Sequence, residues 1–201
     1  MSHERISVRP REAADLDECV RVLAEVHDND GYPVNWPQDP ADWLAPAGSP
    51  AAWVALLDDR IVGHVRLSPG RPGDTTPDLW SSRTGLSPAG TAVVSRLFVS
   101  PKARGLGVGT LLLDETVREA RAGGLHPVLE VVISHRSAAA LYERQGWTLM
   151  ATGERRWGPD QTVLIHSYAG EVLRGAGVAE RGVCLAEPTR LVVAGLGQFR
   201  A

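Results

Sequence analysis

Only two cysteines occur in the 201 residues, Cys19 and Cys184, and neither belongs to a CxxC or Cys/His spacing. That scarcity argues against a disulfide framework and against a metal site, and it suits a reducing compartment, so a cytoplasmic location is expected. No apolar run approaches the roughly 18 residues of a membrane span. The opening MSHERISVRPRE is charged where a signal peptide would be apolar. A large excess of one charge is missing too. The net charge of -3 gives no global attraction to nucleic acid or to an anionic membrane, and neither is an expected partner. Internal repeats are absent.

What is present is ordinary globular material, 43% hydrophobic, of a length that suits one domain with or without an appendage. RISVRP alternates like a short strand. EAADLDECVRVLAEVHD follows with Leu16, Val20, Leu23 and Val26 or His27 at helical spacing. NDGYPVNWPQDPADWLAPAGSP is a loop dense in Pro, Gly and Asp. AAWVALL and IVGHVRLSP flank Asp58 and Asp59 as a hairpin. Residues 69–91 form a Pro/Gly/Ser/Thr stretch with one tryptophan, Trp80, and read as a long irregular loop. TAVVSRLFVSP is a strand. A helix then runs to about Ala122, with Val108, Leu111, Leu112, Val117 and Ala120 on one face and an Asp114–Arg118 pair on the other. PVLEVVI is a strand covered on both faces. SHRSAAALYERQG is a helix capped by Ser134 or His135 and stopped by Gly146. WTLMATGERRWGPDQTVLIHSYA closes as two strands. His64 and His166 fall within strands and read as hydrogen-bonded structural histidines. Residues 1–169 thus form the expected domain. Residues 170–201 form a Gly/Ala/Val-rich extension that is an extra strand, an interface segment or disorder.

One stretch asks for a ligand. In RGLGVGTLLLDETV, Gly105, Gly107 and Gly109 run from a strand into an amphipathic helix. A helix N-terminus offers unpaired N–H groups and the positive end of the helix dipole, which together hold an anion. Glycine lets that anion approach the backbone, and Lys102 and Arg104 add charge. Phosphate or pyrophosphate is the natural guest. A GxxxxGKS/T loop is excluded, because no lysine follows Gly109. The dinucleotide pattern GxGxxG fails as well: its last position is Thr110 counted from Gly105, and Leu112 counted from Gly107.

RLFVSPKARGLGVGTLLLDETV resembles the acetyl-CoA-binding motif of the GNAT N-acetyltransferase superfamily, an Arg/Gln-x-x-Gly-x-Gly/Ala frame met here by Arg104, Gly107 and Gly109. LEVVISHRSAAALYERQGW resembles the family's next motif through Leu129, Val131, Ala138, Leu141, Tyr142, Glu143, Gly146 and Trp147. The order of elements fits from Arg5 to about Ala169. The resemblance implies an α/β fold with a central mixed, mostly antiparallel sheet, splayed between its fourth and fifth strands and flanked by helices. It implies pantetheine along Leu97, Phe98 and Val99, and pyrophosphate on Arg104, Gly105, Leu106, Gly107, Val108, Gly109 and Thr110. His135 and Ala138 would approach the same co-substrate, although the family usually has Asn where His135 stands.

The activity implied is transfer of acetyl from acetyl-CoA to a primary amine, on a small molecule or a peptide N-terminus. Direct attack on a thioester needs a neutral amine, a polarised carbonyl and a proton for the departing thiolate. Tyr142 matches the family tyrosine assigned as that acid. Glu130, twelve positions earlier, matches in spacing the base of the GNAT enzymes that acetylate ribosomal-protein N-termini. A carboxylate inside an apolar strand needs such a reason or an arginine partner, because burying it alone is expensive. The strand before the glycine loop lacks the family's frequent acid, so a non-catalytic acyl-CoA-binding module is the alternative.

Tyr32, Trp36 and Trp43 either wall the amine pocket, with Asp28, Asp30 or Asp39 attracting an ammonium, or pin the proline-rich loop to the body. The mild negative charge favours a cationic small molecule. A homodimer fits the family habit.

Overall fold

The computed structural model describes residues 5–46, 51–157 and 160–170, together with the backbone of residues 189–191. In chain order its elements are β1 (Ile6–Pro10), α1 (Leu16–Asp30), α2 (Pro40–Leu44), β2 (Ala52–Leu57), β3 (Arg60–Pro69), α3 (Thr75–Thr84), β4 (Thr91–Val99), α4 (Val108–Ala122), β5 (His126–Val132), α5 (Arg136–Arg144), β6 (Thr148–Arg156), β7 (Thr162–Ala169) and β8 (Thr189–Leu191). This is a mixed α/β fold. The described residues form two compact units, one of those from Arg5 to Ser68 with Val94–Glu119, the other of Pro69–Val93 with those from Ala120 to Leu191.

In the first unit β1, β2, β3 and β4 are neighbours in that order. β1 pairs antiparallel with β2, and β2 with β3. Asp58 and Asp59 make the β2–β3 turn with φ of 48° and 64°. Positive φ at both central residues is the primed turn whose twist matches that of a hairpin. α1 buries Cys19, Val22, Leu23 and Val26 against Leu44, Val54, Ile61 and Phe98, while Leu16 and Val20 pack at the margin. Fully buried aliphatic side chains such as these contribute about 1.5–3 kcal/mol each.

α4 departs from the expected face in two respects. Val108, Leu112, Leu113, Thr116 and Ala120 are its buried residues, and Leu111 is 42% exposed. At about 100° per residue the buried set spans an arc of about 140°, and Leu111 falls about 60° beyond its edge. Arg118 also pairs with Glu115, at 2.5 Å, rather than with Asp114. β3 approaches this helix closely at Gly63: a Cβ there would meet Leu112 Cδ1 at 2.9 Å and the Phe98 carbonyl at 3.1 Å.

In the second unit the strand order is β5, β7, β6, β8. β7 pairs antiparallel with β5 and with β6, and β8 pairs parallel with β6. The extension after Gly170 therefore contributes one short strand, and its remainder lies outside the described residues.

The loop expected over residues 69–91 contains α3 instead. Its inward residues are Thr76, Pro77 and Trp80, a face too polar to register as an apolar stripe. Proline is tolerated in a first turn, and Gly85 closes the helix at φ 72°. Trp80 packs with Val128, Met150 and Ala169 and stacks on His126 at 5.2 Å. The loop after α1 likewise holds the short α2, whose first turn is capped by the Asp39 carboxylate accepting from the Asp42 amide at 2.8 Å. α5 begins after His135, whose side chain makes no cap hydrogen bond, and Gly146 follows it at φ 77°.

Candidate active site

The first unit carries the strand–glycine–helix arrangement. Within β4, Arg96 has φ of 52°, a rare value for a non-glycine strand residue. His64 on β3 is fully buried and stacks on Phe98 with ring centroids 5.3 Å apart. Its Nδ1 lies 3.0 Å from the Arg96 carbonyl, an acceptor, and Nε2 lies 3.5 Å from Arg11 Nη1, a donor. The two contacts together define the neutral tautomer with its proton on Nδ1. Burial, and then the charges of Arg11 and Arg66, push this imidazole down to about 3. Phe98 is buried, and the flanking Leu97 and Val99 are half-buried, as strand alternation requires.

After β4, Gly105 and Gly107 adopt φ of 77° and 81°, and a Cβ on either would meet nothing within 4 Å. The backbone is therefore bare on that side, as a phosphate cradle demands. The Gly107 carbonyl accepts from the Leu111 amide at 3.1 Å, so α4 starts at Val108. The amides of its first turn, at Val108 and Gly109, then point out of the helix end. Leu106 is 40% exposed beside them. Arg104 is ion-paired to Asp30 at the end of α1 and donates from Nη1 to Asp30 Oδ1 at 3.1 Å.

The aromatic residues suggested for the acceptor side are divided. Tyr32 and Trp43 pack against the α1 core with ring centroids 6.3 Å apart, and burial pushes the Tyr32 phenol up. Trp36 is 41% exposed and lies 5.1 Å from the His27 ring. A cation does stand over Trp43, and it belongs to the protein: Arg96 Cζ is 4.6 Å from the ring centroid.

The second unit carries the remaining candidates. Glu130 Oε1 accepts from Thr76 Oγ1 at 2.6 Å and from Arg155 Nη2 at 2.9 Å. Thr76 also reaches Ser167 Oγ at 3.1 Å, and Ser167 is the β7 partner of Glu130. The ion pair compensates the charge that β5 half-buries. Tyr142 is buried against Trp147 and Tyr168, with ring centroids 6.0 Å and 5.9 Å away. Tyr168 donates to Glu143 Oε1 at 3.0 Å, and burial with this carboxylate pushes its phenol up to about 12. The Ala138 amide donates to the His135 carbonyl at 3.1 Å. His166 Nδ1 lies 2.8 Å from Thr152 Oγ1. Thr76, Arg155 and Ser167 escaped the sequence reading because each is brought to Glu130 from a distant segment.

Residues 20–147 match the family model described as the acetyltransferase (GNAT) family. The chain belongs to that family. Among curated proteins, this GNAT chain is 35% identical over 107 residues to mycothiol acetyltransferase of Geodermatophilus obscurus, a match covering 53% of this chain. It spans only 30% of that relative's length. Among solved structures, an N-acetyltransferase of Staphylococcus aureus Mu50 aligns over 82% of this chain and 97% of its own, with TM-score 0.64 and 18% identity. The yncA protein of Salmonella typhimurium, solved with its cofactor acetyl-CoA, aligns over 86% of this chain and 96% of its own, with TM-score 0.60 and 18% identity. These likenesses show the GNAT fold. Within it, the open Gly105–Gly107 backbone fits acetyl-CoA as co-substrate. No helix among the described residues is long and apolar enough to cross a membrane.

Proposed function

We propose that this GNAT chain transfers an acetyl group from acetyl-CoA to a primary amine by direct attack. The observation that carries the reading is the bare backbone at Gly105 and Gly107, opening onto the first turn of α4 with Arg104 alongside. Amides from Arg104 to Thr110 hold the pyrophosphate, and backbone groups at Leu97 and Val99 hold the pantetheine arm. Phe98 serves from inside the core. Bound acetyl-CoA supplies the activated acetyl group.

The remaining roles fall to Tyr142 and Glu130. Tyr142 delivers the proton that the departing thiolate takes up. Glu130 accepts the proton that the amine loses, through water, because both of its hydrogen bonds fall on one oxygen, Oε1. Tyr32, Trp36 and Trp43 shape the acceptor side, with Trp36 the most exposed of the three.

Acetyl-CoA at about 100 times its dissociation constant should stabilise the protein by roughly 2.7 kcal/mol, and NADH should not. Thiol release with an amine panel then measures transfer. Tyr142→Phe should lower kcat about 10²-fold while acetyl-CoA still raises the melting temperature. Stabilisation without turnover of any amine would point to an acyl-CoA-binding module instead, and no stabilisation would remove the reading altogether.

A further inference from the structure

Arg96 is unusual beyond its backbone. Its guanidinium covers Trp43, and its Nε and Nη1 are buried with no hydrogen-bond partner. Among the described residues it belongs to no ion pair. Leaving donors of a charged group buried and unmet is among the costlier arrangements a fold can keep.

The surroundings deepen the imbalance. Arg11 Nη1 donates to the Leu44 carbonyl at 3.1 Å, so two guanidinium groups meet neighbouring residues of α2, Trp43 and Leu44. The same Arg11 nitrogen faces His64, whose other ring nitrogen faces the Arg96 carbonyl. Arg66 stands two residues beyond His64, on the same side of β3. The imidazole among them is neutral, as its two contacts define.

Among the described residues, Asp15, Asp39 and Asp42 offer Arg96 no ion pair. Asp15 is held by Arg9 at 2.7 Å and 2.8 Å, and Asp39 caps α2. Asp42 precedes Trp43 and makes no ion pair with Arg96. Among the described residues no carboxylate pairs with Arg96, and its unmet donors suit an anion.

We propose that Arg96 binds a carboxylate carried by the amine acceptor, with the charge of Arg11 reinforcing it. A single carboxylate suits the site better than a dianionic group, because the Arg11 nitrogen described above already serves Leu44 and His64. The guanidinium over Trp43 is planar, and a planar carboxylate meets its edge in the two-hydrogen-bond geometry in which such a pair is strongest. The preferred acceptors are therefore amino acids or other acidic amines, and polyamines are disfavoured. This inference rests on the transferase reading above and assigns its acceptor class.

The experiment compares free L-amino acids with their amides as acceptors, by thiol release, in the wild-type chain, Arg96→Gln and Arg96→Lys. Acetyl-CoA stabilisation is measured on each protein as the check that it is folded and loaded. The acids should exceed the amides in kcat/KM by about tenfold or more. Arg96→Gln should bring that ratio close to one, chiefly through KM for the acid, and Arg96→Lys should retain part of it. Short peptides with an acidic or a neutral second residue distinguish a peptide acceptor from a free amino acid.

A parallel arm does not need turnover: N-acetyl amino acids and N-acetyl amino-acid amides are compared for stabilisation of the CoA-loaded protein. Amides or polyamines used as well as acids would overturn the inference and leave the transferase reading standing. Acetyl-CoA stabilisation with no amine consumed would sink the transferase reading. In that case equal stabilisation by N-acetyl acids and amides would sink the inference too, whereas an acid preference lost in Arg96→Gln would keep the carboxylate site.

Discussion

Glu130 and Tyr142 engage opposite faces of one antiparallel ladder. Glu130 lies opposite Ser167 in the β5–β7 register, and both reach Thr76 on α3. Tyr142 packs on Tyr168, the neighbour of Ser167, whose partner on β5 is Leu129. Successive strand residues point to opposite faces, so the expected acid and the expected base share no partner. With each acting on its own proton, Glu130→Gln and Tyr142→Phe should each lower kcat by about 10²-fold. Their effects should multiply in the double variant. A double variant no slower than the worse single one would show that one of them acts through the other.

The buried imidazole of His64 makes stability depend on pH. Its pKa is pushed down to about 3 in the fold, against about 6.5 in an unfolded chain. Between those values the unfolded state binds the extra proton, so stability falls as pH falls through this window and is fully present above it. One such group contributes about 1.4 kcal/mol per pH unit. Chemical denaturation at pH 7, 6, 5 and 4 should show His64→Gln losing less stability on acidification than the wild type, even where it is less stable at pH 7.

Gly63 is a packing requirement rather than a flexible joint. Alanine there would place a Cβ within 2.9 Å of Leu112 and 3.1 Å of the Phe98 carbonyl. The Phe98 carbonyl belongs to β4 and cannot swing aside, so β3 and β4 must shift, and the Leu112 side chain must move as well. Gly63→Ala should cost about 1–3 kcal/mol, read from urea denaturation. An unchanged midpoint would mean that the Phe98 carbonyl and the Leu112 side chain both give way freely.

Gly107 combines a left-handed backbone with open space. An alanine side chain meets no neighbour, yet φ of 81° disfavours any L-residue by about 1–2 kcal/mol. Gly107→Ala should therefore weaken acetyl-CoA binding through the altered loop, read by titration calorimetry, with a smaller loss of overall stability. Gly73, with φ of 94° and nothing within 4 Å, is the matched control: Gly73→Ala meets the same kind of strain and should leave acetyl-CoA affinity unchanged.

The sequence by itself determined the elements whose signal is local. Alternation, helical spacing and turn chemistry placed β1, the β2–β3 hairpin, β4, β5 and the closing strands. The Gly105–Gly107–Gly109 run marked the turn into α4, because the left-handed backbone found at Gly105 and Gly107 favours glycine. The Tyr142 context was legible for the same reason.

Tertiary structure decided whatever depends on distant segments. α3 has no apolar stripe, and its helix forms because Trp80 finds Val128, Met150 and Ala169 to pack on. The partners of Glu130 come from α3, β6 and β7, and no local pattern announces them. Nothing in the local sequence singles out Arg96. Only the packing of α2 and β3 around it reveals a cation over Trp43 with donors still unmet, since burial and charge balance are properties of the assembled fold.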